Sequence, residues 1–175
     1  MKLRLAKKED IENIMIVIND AKKYLKEQGS LQWNLSDGYP RECDLLKDIE
    51  NGYCYVLENE NKIIGTMSII VGIDENYNNI YEGKWLTNNP YASIHRIAIK
   101  NTHHHLGLGK KMLQLAENIV ISKNVYSIRI DTHKINIPMR KTIINAGYAY
   151  CGIIKLLRSE TDNLRDAYEK VLTEI

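Results

Sequence analysis

The apolar residues Ile14, Met15, Ile18, Ala21 and Leu25 recur at helical spacing, and the pattern stops near Gly29. Residues 3–5, Leu-Arg-Leu, precede them as a short first strand. A loop of polar and aromatic residues (Gln32, Trp33, Asn34, Asp37, Tyr39) closes at Pro40, and Leu45, Leu46 and Ile49 predict a second helix ending at Gly52. Residues 53–58 and 62–71 read as a hairpin around Asn59-Glu60-Asn61. Residues 74–89 are polar and rich in Tyr and predict no regular element. A fourth strand is expected at residues 92–99. Behind it, Leu108, Met112, Leu115 and Ile119 mark a helix whose apolar face belongs to the core. Residues 125–130 form a fifth strand, and Asn136, Pro138 and Gly147 bracket another helix. Residues 148–157 and 164–172 close the pattern as two strands linked by Ser159-Glu160-Thr161-Asp162-Asn163. Strands and helices alternate without an internal repeat or a Pro/Ser-rich linker, so residues 1–175 read as one α/β domain.

Composition narrows the functional classes. The chain has 175 residues, 44% hydrophobic and 26% charged, enough for a substantial core. A formal net charge of +2, with basic residues dispersed among acidic ones, gives no reason to expect nucleic acid. No apolar run approaches a membrane span, and Lys7-Lys8-Glu9-Asp10 follows the first strand too soon for a signal peptide. Cys43, Cys54 and Cys151 are widely spaced and lack a Cys-x-x-Cys pair, which suits free thiols. A cytoplasmic location is the expectation.

The chemistry concentrates at His104-His105-Leu106-Gly107-Leu108-Gly109-Lys110, between the fourth strand and the next helix. A glycine turn opening a helix aims backbone N–H groups at one spot, and the helix dipole favours an anion there. Gly107-Leu108-Gly109-Lys110 lacks the Gly-x-x-x-x-Gly-Lys-Ser/Thr spacing of a P-loop. Met112 stands where a dinucleotide fingerprint needs its third glycine. The turn therefore reads as a pyrophosphate cradle of another kind, or as a plain tight turn. His103, His104 and His105 are consecutive and have no accompanying zinc spacing, so no metal is expected.

These residues resemble the GNAT superfamily of acyl-CoA-dependent N-acetyltransferases, whose signature is Arg/Gln-x-x-Gly-x-Gly/Ala after the fourth strand. His104-x-x-Gly107-x-Gly109 fits that frame, with His in the Arg/Gln place. A second block, Ser127 to Asp131, then Asn136, then Gly147-Tyr148, follows in the family's order, and the resemblance covers essentially the whole chain. It implies a mixed sheet of about seven strands with about four helices, and fourth and fifth strands that splay apart. It also implies acetyl-CoA as cosubstrate, lying between those strands. Backbone groups of Ile97, Ala98 and Ile99 would meet its pantetheine arm, as would Asn136. The segment from His104 through His105, Leu106, Gly107, Leu108 and Gly109 to Lys110 would meet its phosphates.

The implied activity is direct attack of a primary amine, on a small molecule or a peptide, upon the thioester. Such an ammonium, with a pKa of about 10, must first lose a proton. Strand alternation places Ser93, His95, Ile97 and Ile99 on one face, and His95 is the candidate base, with a structural histidine as the alternative. Asp131 and His133 end the fifth strand and are expected either to orient the amine or to fix the polar turn into the next helix. Ile143 stands where many relatives place a Tyr that protonates the leaving thiolate. Trp33, Trp85 and Tyr91 are candidates to line the acceptor slot, or to form a satellite core. Cys151 reads as a buried strand thiol rather than an acyl carrier. The departures at His104 and Ile143 leave a second reading, a catalytically silent acyl-CoA sensor. Pairing of the closing strands between two copies would give a homodimer.

Overall fold

In the computed structural model, which describes residues 1–34, 36–158 and 161–173, seven strands form a single mixed sheet. In chain order they are β1 (Lys2–Leu5), β2 (Cys54–Asn59), β3 (Lys62–Val71), β4 (Ala92–Ile99), β5 (Ser127–Thr132), β6 (Ala149–Lys155) and β7 (Leu164–Val171). Their order in the sheet is β1-β2-β3-β4-β5-β7-β6, antiparallel throughout except for the parallel pair β4–β5. Four helices cover it: α1 (Ile11–Glu27), α2 (Glu42–Glu50), α3 (Leu108–Ile121) and α4 (Ile137–Asn145). Ser159 and Glu160, in the expected link between the closing strands, lie outside the described residues.

The two faces of the sheet bury separate cores. On one, Met112, Leu113, Ala116 and Val120 of α3 pack with Leu57, Met67, Ile94, Ile128 and Ile130. On the other, Ile14, Val17 and Ile18 of α1 and Leu45 of α2 pack with Cys54, Val56 and Ala98. Of the residues expected on these faces, Ile14, Ile18, Leu25, Leu108 and Met112 are buried, whereas Met15, Ala21, Leu115 and Ile119 are only partly so, and Val17, Leu113, Ala116 and Val120 fill the core beside them.

Residues 74–89, which carry no periodic pattern, are nonetheless firmly tied down. Glu169 of β7 is fully buried and accepts from the Leu86 N–H (2.5 Å), the Thr87 hydroxyl (3.2 Å), the Ser127 hydroxyl (2.6 Å) and Arg129 Nε (3.2 Å). The Arg129 guanidinium lies over both the Trp85 ring (4.2 Å) and the Tyr91 ring (4.0 Å). Tyr81 pairs with Ile153 of β6 by two backbone hydrogen bonds of 2.8 Å. Gly83 passes so close to the Cys151 carbonyl that a Cβ there would overlap it. Trp85 and Tyr91 accordingly join the satellite core around Tyr77, Ile154 and Ala167.

Candidate active site

The site begins where β4 and β5 part. They pair only at Ala92–Ile128, Ser93–Arg129 and Ile94–Ile130, and separate from His95 and Asp131 onward. A bulge in β4 coincides with the parting. Ser68 pairs with His95 and Thr66 with Ala98, so Arg96 and Ile97 together oppose Met67 alone. Arg96 takes a left-handed φ of 51°, a conformation disfavoured for a residue with a Cβ. It is held there by Asp48, whose two carboxylate oxygens accept from Nε and Nη2 at 2.9 Å each, and by the Tyr39 hydroxyl at 2.9 Å from Nη1.

The bulge corrects the alternation expected from sequence. Ile97 and Ile99 fall on the α3 face with Ala92 and Ile94, whereas Ala98 packs on the α1 face. His95 is thus not on the face of Ile97 and Ile99. Lys100 N–H bonds the Ile64 carbonyl across β3. By alternation the Ile99 carbonyl points away from β3, and there it accepts from His104 Nε2 at 3.1 Å.

A continuous cavity of about 1050 Å³ runs from this gap to the start of α3. Its walls include Ile97, Ala98, Ile99, His104, His105, Gly107, Leu108, Gly109, Lys110, Asn136 and Thr142. Gly107 is the N-cap of α3, with φ of 70° and no side-chain cap. A Cβ added there would stand in open space. The first backbone bond of α3 runs from Lys111 N–H to the Gly107 carbonyl, which leaves the N–H groups of Leu108, Gly109 and Lys110 without a helical acceptor. Uncapped donors, a helix dipole and Lys110 at one cavity mouth suit a phosphate group. The His104 ring also meets the Tyr24 ring edge-on at 4.7 Å, so it braces the turn. Leu106 is 65% exposed and does not line the cavity. Asn136 caps α4, its Oδ1 accepting from the Met139 N–H at 3.2 Å.

The other end of the cavity is polar. His95 Nε2 meets Asp74 Oδ2 at 2.7 Å. Burial pushes the Asp74 carboxyl up, but the bond and charge of His95 and the bonds from Asn76 outweigh it and leave the pKa below the usual range. Asp131 Oδ1 accepts from the Tyr77 hydroxyl at 2.7 Å. Burial, then the Asp131 charge, raises the Tyr77 phenol well above its ordinary value, so it remains a donor. Trp33, Tyr39, Arg158 and Arg165 complete this end. Among the described residues no group of His, Cys, Asp or Glu is arranged to hold a metal ion.

The acetyltransferase (GNAT) family profile matches residues 18–148. The chain belongs to this family. A GNAT acetyltransferase structure from Streptococcus agalactiae is 36% identical, covers 99% of this chain and 96% of its own, and superposes with a TM-score of 0.90. Streptothricin acetyltransferase from Escherichia coli is 23% identical over 153 residues, 86% of this chain and 79% of the relative. PaiA N-acetyltransferase from Thermoplasma acidophilum, solved in complex with coenzyme A, shares the fold at 19% identity and a TM-score of 0.66, covering 97% of this chain and 98% of its own.

Within this acetyltransferase the structure brings His95, Asp131, Trp33, Asn136 and the whole glycine turn except Leu106 to one cavity. It does not bring His133, Trp85 or Tyr91 there. His133 is 7% exposed and donates from Nε2 to Asp162 at 2.7 Å, while its Nδ1 accepts from the Ile135 N–H at 3.3 Å. It therefore fixes the turn into α4. Ser93 is buried against the Ile70 carbonyl (3.4 Å) and Ile143 is wholly in the core. Sequence reasoning missed Asp74, Tyr77, Arg158 and Arg165. The only available signal was their polar character in loops and strand ends, because the sheet that gathers them is a long-range structure.

Proposed function

We propose that the protein transfers an acetyl group from acetyl-CoA to a primary amine by direct attack, with His95 as the general base. The observation that carries this reading is the single cavity joining the uncapped α3 N-terminus to the His95–Asp74 pair across the β4–β5 gap. The coenzyme A bound to the related PaiA protein supports the same ligand here. Gly107, Leu108, Gly109 and Lys110 hold its phosphates, and Ile97, Ile99 and Asn136 meet its arm. Bound acetyl-CoA supplies the activated acyl carbon.

Asp74, kept ionised by its hydrogen bonds, orients the His95 ring and stabilises the positive charge the ring gains. Asp131 draws the substrate ammonium into the gap, and His95 takes the proton. The nitrogen then forms an amide bond as the C–S bond breaks, and the thiolate leaves carrying its electron pair. A thiol with a pKa of about 8.5 departs without a strong acid, which accommodates Ile143 in the place of a tyrosine. The fully buried Ile143 offers nothing to the reaction.

The test is thiol release from acetyl-CoA with a panel of amines. The wild-type protein turns over at least one amine, and His95→Ala lowers kcat by about 10²–10⁴-fold. Equal rates for the two proteins would remove His95 from the mechanism. Binding of acetyl-CoA without turnover of any amine would instead favour the silent sensor.

A further inference from the structure

The acceptor end of the cavity carries charge of both signs, and among the described residues Arg165 has no close carboxylate partner. Arg165 is 2% exposed yet lines the cavity. Its Nη1 donates to the carbonyls of Asp162 (2.7 Å) and Leu164 (2.8 Å). Among the described residues its one ion pair, Nη2 to Asp162 Oδ2, spans 3.9 Å, too long for a hydrogen bond; that oxygen is buried without a hydrogen-bond partner, while Oδ1 holds His133 at 2.7 Å. Burial lowers the Arg165 pKa, with the charges of Asp131 and Asp162 acting against it. A buried guanidinium is ordinarily neutralised by a close carboxylate.

Arg158 lines the same region, stacked over the Tyr39 ring at 3.8 Å. Its partner, Asp37 at 2.8 Å, is a half-exposed loop carboxylate. Arg96 provides the contrast. Both oxygens of the buried Asp48 satisfy it at 2.9 Å, and it has no charge left to offer. On the acidic side, Asp131 has no ion pair among the described residues and accepts only from Tyr77.

We infer that the acceptor is an amine that also carries a carboxylate, an amino-acid-like molecule whose acid group binds Arg165 and Arg158 while its amine reaches Asp131 and His95. A planar guanidinium matches a carboxylate in a two-bond fork, and two of them in a sheltered cavity reject an acceptor without the acid. This rests on the acetyltransferase reading and adds the substrate class to it.

The test is acetylation of amino acids, each beside the amine obtained by replacing its carboxyl group with hydrogen. The expected result is a kcat/KM at least about 100-fold higher for the acid-bearing member of at least one pair. Arg165→Gln and Arg158→Gln each shrink that ratio by at least about tenfold. Arg158 lies nearer the surface, so its variant carries the comparison should the buried Arg165→Gln lose its thermal transition. Equal or faster transfer to the plain amine overturns the inference alone, as does a ratio unchanged in the variants. No transfer to any member of any pair overturns the inference, and the transferase reading falls with it only when no other amine of the panel is acetylated while acetyl-CoA still binds.

Discussion

At the scale of single residues, the proposed site depends on two positions, His95 and Gly107, whose surroundings make them what they are. In the proposed mechanism His95 would act through its 2.7 Å bond to Asp74. Asp74→Asn keeps the shape but removes the charge that stabilises a protonated ring, so kcat should fall by about 10²-fold while KM for acetyl-CoA moves less than about threefold. Steady-state kinetics at saturating acceptor measure both quantities, and an unchanged kcat would make the Asp74 contact structural only. Gly107 is the second case. Asp is tolerated better than most residues at its left-handed φ, and the added Cβ meets open space. Gly107→Asp should therefore fold normally and weaken acetyl-CoA binding at least about tenfold through charge repulsion. His95 was singled out by its imidazole and by a strand alternation that the bulge after it overturns. Asp74 was not, since only the β3–β4 connection brings it to His95. The bulge was hidden too, because an arginine held by Asp48, rather than a glycine, occupies its left-handed position.

At the scale of elements, local chemistry decided what could be read in advance. The Asn136 cap, Pro138 and Gly147 frame α4, and apolar spacing frames α1 and α3. The connection at residues 74–89 was opaque because its anchors are distant: Glu169 and Arg129 lie on β7 and β5. Glu169→Gln leaves the 7%-exposed Arg129 side chain without its carboxylate. Breaking such a buried pair costs about 3–5 kcal/mol, enough to lower Tm by about 10 °C. The same variant should loosen residues 74–91 first, detected as faster amide hydrogen exchange in that segment than in α1. Uniform exchange across the chain would contradict this. The thiols follow their elements as well. Burial pushes the Cys54 thiol up to about 11 and raises Cys151, whereas Cys43 is exposed. A thiol reagent at neutral pH should find one fast-reacting cysteine in the native protein and all three after denaturation.

For the whole molecule, carboxylates set the acid limit of stability. Asp10 beside Arg4, Asp44 beside Arg41 and Asp74 beside His95 all lie below their ordinary pKa. Each favours the ionised, folded form, so its contribution is complete above about pH 4 and is lost as pH falls through the lowered values. Tm should stay level from about pH 7 to 5 and decline below about pH 4; a steady fall beginning near pH 6 would point to histidine titration instead. The overall architecture was legible because two motifs and eleven elements occur in one order along the chain. The charged end of the cavity was not, because it exists only where the sheet brings β4, β5, β6 and β7 together. The central claim, that this cavity binds acetyl-CoA, is tested most directly by calorimetric titration of the protein with acetyl-CoA. Saturable one-to-one binding that Gly107→Asp weakens is the predicted result, and no detectable heat of binding up to millimolar ligand would contradict it.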